Sequence, residues 1–417
     1  GLTWQHPDSG AFETEFHDYQ RNAALALREF APGSTFYAGG HQIRIDAVDL
    51  GPDGETVRTW VQCPDCGYTE DVTGAKGPAT CPRCQGTGIA DAGQRFDVVE
   101  LRRVSSTMRR EEAAIDDARD ERDRVRFEVA VTADVVPEHV TREWYVEHHG
   151  FGARHVRDLR VRWLNLGRAN GQGAPAMIAG REHAAEYFRV CKACGQLDSY
   201  AGGNNARDHR PWCRLRKAET EDTHSLVLSR TLETEGLLLR LPPLVSMGNA
   251  YAVPSIVAAV KLGLREYIGG APDHLSVELV ADVGNPGTDA VLLHDVVPGG
   301  TGYLAELADP LVLRKILRLA YEVVRDCDCV EQGRLACHKC LLPFADWGRI
   351  HLVARSEAER QLEDILTADG QLELKDEAWP ITDVPVVGVD PESKMEQRFR
   401  EVLRKRLETV GATIQTT

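Results

Sequence analysis

The sequence predicts an α+β protein of several lobes, with a β-rich N-terminal part interrupted by a cysteine-rich ribbon and an α/β domain towards the C-terminus. Three observations carry that expectation. Short alternating apolar runs, punctuated by Gly, Pro and Asp, fill residues 36–104. Strand-like and helical apolar patterns alternate between 225 and 325. The eleven cysteines, taken with one histidine, divide without remainder into three sets of four ligands.

Taken in order, residues 1–35 hold a lead-in helix, predicted over 12–30 because Phe16, Tyr19, Ala23, Leu27 and Phe30 recur at three- and four-residue steps before Pro32 and Gly33. Residues 36–135 form a β-rich domain. Its runs 42–45 and 56–61 flank Gly51-Pro52-Asp53-Gly54, a hairpin signal, and further strands follow over 96–104 and 127–135. The charged stretch 105–124 reads as an exposed linker or solvated helix. Residues 136–235 are mixed, with 167–180 read as a loop. Residues 236–368 give a buried helix over 253–268, strands near 275–283 and 290–296, and a helical stretch 303–325 that Pro310 breaks and restarts with Asp309 as cap. Residues 369–417 comprise a Pro-rich connector, 380–391, and a last amphipathic helix with Met395, Phe399, Val402, Leu403 and Val410 on one side.

The cysteine spacing points to metal. Cys63-Pro64-Asp65-Cys66 and, fourteen residues on, Cys81-Pro82-Arg83-Cys84 supply two thiolate pairs on tight turns within a ribbon at 60–88, which suits tetrahedral zinc. A redox C-x-x-C would not need the second matched pair. The second set, Cys191, Cys194, His209 and Cys213, follows C-x2-C-x14-H-x3-C, the spacing of a zinc finger at 188–216. His209 is its best-spaced fourth ligand, with Asp208, His183 and His224 as alternatives. The third set, Cys327, Cys329, Cys337 and Cys340, follows the 303–325 helix; an iron–sulfur cluster is its competitor. None of the sets leaves an obvious open position, so three structural Zn2+ ions are expected and no catalytic residue is assigned. The fold class is therefore a multi-lobed α+β chain with an inserted zinc ribbon and an α/β C-terminal zinc-binding domain.

Composition bounds function. A formal charge of −15 excludes coating nucleic acid through an overall positive field. Contacts with DNA would have to be local, and two segments offer them: 154–168 with five arginines, and 207–217 with Arg207, Arg210, Arg214, Arg216 and Lys217. Such segments also arise as solvated faces. Gly299-Gly300-Thr301-Gly302 before a helix could present backbone N–H groups to a phosphate, or could simply be a tight turn whose glycines permit close packing. Apolar runs such as 256–260 are far too short for a membrane span, and no basic-then-apolar leader precedes them, so a cytoplasmic location without membrane contact is expected.

The run Asp295-Val296-Val297-Pro298-Gly299-Gly300-Thr301-Gly302-Tyr303, the helix after it, and C-x-C-x7-C-x2-C followed by Leu341-Leu342-Pro343 resemble the C-terminal zinc-binding domain of MrfA-type DNA helicases. The same region resembles the DrmB subunit of the DISARM antiphage system and the large defence helicases of the Druantia kind. The resemblance is good over about 240–365 and weaker, by order of elements, over about 10–240. It implies an accessory module of a superfamily 2 helicase that contacts DNA and couples to an ATPase core in cis or in trans, in antiviral defence or DNA repair. The chain itself has no G-x-x-x-x-G-K-[ST] phosphate loop, so it is not expected to hydrolyse ATP alone. Asp376-Glu377-Ala378-Trp379 is similar to a helicase acidic box, but it lies beside Pro380 with no phosphate loop upstream and reads as chance. Ser393–Phe399, with Glu396, resembles the opening helix of a restriction-endonuclease-like domain without the D…E-x-K core that a nuclease needs. A protein–protein scaffold whose zinc lobes never touch nucleic acid is the alternative. Gly1 in place of an initiating Met is compatible with a piece of a longer helicase or with a processed subunit.

Overall fold

The computed structural model describes all residues except 6–8, 10, 22, 116–124, 170–174, 199–208, 217–222, 247, 272, 283–287, 387–405 and 407–417. The chain divides into two compact units, Gly1–Thr132 with Arg162–Thr231, and Ala133–Val161 with Leu232–Thr417. Two long strands, Gly152–Arg168 and Thr223–Arg240, carry the backbone from one unit into the other.

The first unit is β-rich. Strand Arg58–Gln62 pairs antiparallel with Arg95–Glu100, placing Trp60 opposite Phe96, and with Thr69–Asp71 on its other side. The first cysteine set hangs between these strands. Val227–Ser229 adds to Val98–Glu100 in parallel. Alternating side chains from these strands bury Phe96, Val98, Leu164, Leu166, Ile178 and Val227 together. The helix expected over 12–30 forms only as α1, Ala23–Glu29; Phe12–Glu15 is instead a strand paired with Leu2–Gln5. The alternation Phe12-Glu13-Thr14-Glu15 is period two, and pairing with Leu2–Gln5 settles a segment that periodicity over so few residues leaves ambiguous. Part of the loop expected over 167–180 is likewise a hairpin, Pro175–Ile178 against Arg181–Ala184, turning at Ala179 and Gly180 with φ of 48° and 80°.

The second unit is a sheet with helices packed on it. Its strands run in the order Ile381–Asp383, Val140–Val146, Gly152–Arg168, Thr223–Arg240 and Asp289–Asp295, with Leu275–Ala281 antiparallel to the last. The helices are α2 (Pro243–Ser246), α3 (Ala252–Ile268), α4 (Tyr303–Leu307), α5 (Pro310–Arg325) and α6 (Arg355–Thr367). Pro310 does separate α4 from α5, and the Asp309 carboxylate caps α5 by accepting from the Leu311 N–H at 2.9 Å. Leu313, Ile316, Leu317, Ala320 and Val324 recur on one stripe of α5 and are buried against Ile256, Val260 and Leu264 of α3 and Leu362 and Ile365 of α6. Trp144 and Phe151 close the core with Trp379, whose indole donates to the Ile365 carbonyl at 2.9 Å. Trp379 of the acidic-box-like tetrapeptide is therefore core. No helix among the described residues is long and apolar enough to cross a membrane.

Helices α3 and α5 approach so closely at Gly263 that a Cβ there would lie 2.5 Å from the Ile316 carbonyl oxygen. The obstacle is backbone, which cannot rotate away. Gly263→Ala is expected to destabilise the second unit by about 1–3 kcal/mol through overpacking, read as a lowered denaturant midpoint. An unchanged midpoint would show that the helices can separate freely at this point.

Candidate metal centres

Three of the four C-x-x-C turns are built alike. In each, the residue after the second cysteine takes a left-handed conformation: Gly67 at φ 73°, Gln85 at 63° and Gly195 at 65°. Its N–H then reaches back to the carbonyl of the first cysteine, at 3.1, 2.9 and 2.9 Å for Cys63, Cys81 and Cys191. The first cysteine's own N–H bonds onward to Tyr68, Gly86 and Gln196 respectively, at 2.8–2.9 Å. Each turn thus satisfies its backbone while aiming two sulfurs to one side, and glycine is favoured after the second cysteine because left-handed φ costs it nothing. The fourth pair, Cys337 and Cys340, lacks this turn. There the Cys340 and Leu342 N–H groups both donate to the Cys337 carbonyl at 3.2 Å.

The cysteines converge. In the first set Cys63 Sγ lies 3.5 Å from Cys84 Sγ, and Cys66 Sγ 3.5 Å from Cys81 Sγ. In the third, Cys327–Cys337, Cys337–Cys340 and Cys329–Cys340 are 3.5, 3.7 and 3.9 Å apart. In the second, Cys191 and Cys213 are 3.8 Å apart, and His209 Nδ1 stands 3.5 Å from Cys213 and 3.8 Å from Cys194. Within each set all four ligand atoms lie within 4.8 Å of one another. A tetrahedron with Zn–S bonds of about 2.3 Å has edges of about 3.8 Å, which these separations match. Disulfides, at about 2.05 Å, are excluded. The spacing also favours one ion over an iron–sulfur cluster in the third set, since a cluster holds its cysteines on different iron atoms. Of the alternatives to His209, His183 Nδ1 sits 2.7 Å from Glu128 and His224 Nδ1 4.0 Å from Asp97, while Asp208 lies outside the described residues.

Electrostatics explains why a cation belongs there. Burial, the largest influence, pushes the Cys63 thiol up to about 11 and Cys194 to about 12, and raises Cys66, Cys329 and Cys340 as well. At Cys337 burial acts in the same direction, but the Lys339 N–H and the neighbouring thiols outweigh it and bring the group down to about 7. Without a divalent ion one thiolate of a set forms at the expense of the rest; with it all become ligands. Two backbone N–H groups, from Cys337 and Lys339, already point at sulfurs of the third set at 3.3 Å, as they do towards thiolate ligands.

With these geometries in place, comparison with known proteins is specific. The family model of the MrfA Zn-binding domain matches residues 256–341. This segment is a MrfA-type zinc-binding domain. It runs from α3 through the Gly-rich turn and α5 to the residue after Cys340, so it holds the whole third ligand set, and the chain binds three Zn2+ ions, two of them outside the match. No curated protein sequence matches the chain. Among solved structures, the crystal structure of the DUF1998 helicase MrfA bound to DNA aligns at 11% identity and a TM-score of 0.37, covering 84% of this chain and 31% of that one. The chain thus spans about a third of the length of that helicase.

The residues singled out for DNA lie in different settings. Arg207 and Lys217 fall outside the described residues. Arg210 is buried, its guanidinium held by both Asp46 oxygens at 2.5 and 3.3 Å and by Ser105 at 2.7 Å, which ties the second zinc loop to the first unit's body. Arg214 is exposed beside Asp53 at 2.9 Å, and Arg216 is exposed. In the 154–168 segment Arg154 makes two bonds to Glu143 and Arg160 two to Glu233, while Arg162 lies over the Trp60 ring. The N–H groups of Gly299 and Gly300 bond to the Glu233 and Val297 carbonyls at 2.9 and 3.0 Å.

Sequence reading missed the group that organises this turn. Glu235, fully buried in strand Thr223–Arg240, accepts from the Gly302 N–H at 2.8 Å and the Ala305 N–H at 3.1 Å, and pairs with His155 Nε2 at 2.7 Å. A Cβ on Gly300 would meet Glu235 Cβ at 2.5 Å. The carboxylate therefore occupies the start of α4, where an external anion would otherwise be drawn. Glu235 stands at the polar edge of the apolar run 237–239, after Glu233 and Thr234, so the sequence offered little signal of its burial.

Elemental analysis should give close to three zincs per colourless chain, and Cys329→Ser should lower this to two with the second unit destabilised. Retention of three would show that Cys329 is not a ligand. Glu235→Ala should cost about 3–5 kcal/mol by stranding a buried partner and two amides, seen as a fall in thermal midpoint with zinc content unchanged; a neutral effect would mean that water replaces the carboxylate.

Proposed function

We propose that this chain is a zinc-braced accessory module of a superfamily 2 DNA helicase, coupled to an ATPase core in the same polypeptide or in a partner, that contacts DNA locally in antiviral defence or repair. The observation that carries the reading is the match of a MrfA-type zinc-binding domain to 256–341, whose whole ligand set converges beside α5. The helicase role comes from what MrfA is, and the pathway rests on the same likeness; a cytoplasmic setting is proposed from the C-x-x-C pairs, which suit a reducing compartment. The module has no phosphate loop, so its part is to hold or guide strands while another domain supplies ATP chemistry.

Local DNA contact is supported by the exposed Arg214 and Arg216 beside the second zinc site. The Gly-rich turn is not part of this proposal, because its amides serve Glu235 and neighbouring carbonyls. Arg210 supports the loop from within, and its reversal would unseat the loop instead of testing contact. The discriminating variant is the double charge reversal Arg214→Glu with Arg216→Glu. It should weaken binding of a short DNA by about tenfold or more at low salt while zinc content stays constant, and the dependence of affinity on salt should become shallower. Full-strength DNA binding by this variant would move the contact elsewhere on the chain. Absence of salt-dependent DNA binding by the unaltered chain, alone and with its helicase, would leave the scaffold reading.

A further inference from the structure

We propose that Trp212 is a stacking platform for an unpaired nucleobase, so that the second zinc loop recognises single-stranded nucleic acid. This rests on the DNA-contacting reading above and deepens it. Trp212 lies between His209 and Cys213, two members of one ligand set, and its side chain is 70% exposed. The other tryptophans whose side chains are described have their rings occupied. Arg110, Arg162, Arg230 and Arg314 lie over Trp4, Trp60, Trp163 and Trp379 at 4.6–5.9 Å from the ring centres. Trp144 is buried against Phe151 and Trp379 and donates to the Ala308 carbonyl. Trp212 alone among them presents an uncovered ring to solvent.

The loop holds that ring out. His209 and Cys213, on either side of it, belong to one ligand set that a bound zinc would cross-link, and the Cys213 N–H bonds back to the Arg210 carbonyl at 2.9 Å. The Arg210 side chain bonds to Asp46, Ser105 and Thr107, which anchors the segment two residues before the indole. A rigid exposed aromatic loses little entropy on stacking, and every base has a π face to offer.

Charge selects the occupant. Three thiolates and a neutral imidazole around Zn2+ leave one net negative charge, against two at each four-cysteine site, so this is the least repellent of the three centres to a phosphate. Arg216, exposed, and Arg214, exposed and paired with Asp53 at 2.9 Å, follow the indole in sequence; Arg216 can meet the backbone of a strand whose base lies on Trp212, with Arg214 joining it on exchanging its surface partner. An acidic chain cannot hold nucleic acid by its overall field, and stacking needs little of it. A paired base inside a duplex exposes no face, which makes the contact selective for single strands or frayed ends.

The test uses the full chain with short oligothymidine and a duplex of matched length, with Trp212→Phe, which keeps a π face, and Trp212→Leu, which keeps only apolar bulk. Zinc content and thermal midpoint are measured on each. Trp212→Leu should lose about 5- to 100-fold in single-strand affinity with little change on duplex, and Trp212→Phe should retain most of it. Equal single-strand affinity for the unaltered chain and both variants overturns the inference while leaving local DNA contact intact. An equal loss on both DNAs also overturns it, since stacking on an unpaired base was the claim. Binding of neither DNA by the unaltered chain overturns this inference together with the reading on which it rests.

Discussion

Four sulfurs, or three and a ring nitrogen, are held here within 4.8 Å of one another in three places, with nearest pairs at 3.5–3.9 Å, and thiolates that close together repel one another without a cation between them. Desolvation raises Cys63, Cys66, Cys194, Cys329 and Cys340, at least one in every set, so without a metal these sulfurs hold their protons and the turns lose the interaction that closes them. A divalent ion reverses the balance. It favours the charged ligands, cross-links segments that are up to twenty-odd residues apart in sequence, and does so in regions where little apolar surface is available. Among the described residues, the apolar cluster around the second set is the cysteines themselves with Ala193 and Leu215 packed on them. The metal takes the place of a core there, whereas the third set adjoins one already built by α3, α5 and α6.

The Gly-rich turn shows the complementary solution for a buried anion. Glu235 is as enclosed as any residue in the chain, yet it has a cationic or donor imidazole, two backbone N–H groups and the start of α4 for company. His155 is fixed in turn by Thr141 at its other nitrogen. Asp295, also fully buried, accepts from the Val297 N–H and the Thr301 hydroxyl. Glycine at 300 is required so that the backbone can approach the Glu235 side chain. The same residues that make this run look like a phosphate cradle in the sequence therefore form an internal one, occupied by the protein's own carboxylate.

What was legible in the sequence was what depends on local spacing. The turns at Cys63–Cys66 and Cys191–Cys194 follow from C-x-x-C and the glycine after it, and the α4–α5 break from Asp309 and Pro310, because each is decided within a few residues. Phe12–Glu15 was not legible as strand: its partner Leu2–Gln5 and the further pairing of Leu2 with Met108 supply the deciding hydrogen bonds. The role of Arg210 was hidden for the same reason, since Asp46 lies 164 positions away. From composition it looked like one of several surface cations, and only tertiary placement separates it from Arg214.

That separation bears on how an acidic protein can meet DNA. The metal centres make the chain still more negative, because eleven thiolates outweigh the six positive charges of three zinc ions. Most arginines of the 154–168 segment whose partners are defined are matched to carboxylates or laid on aromatic rings, so they hold strands together and project no field. Long-range steering is thus weak, and recognition falls to short-range contacts on parts that do not rearrange. Under the function proposed above, such a module binds DNA loosely on its own and gains useful affinity only when a linked ATPase keeps the strand nearby at high effective concentration.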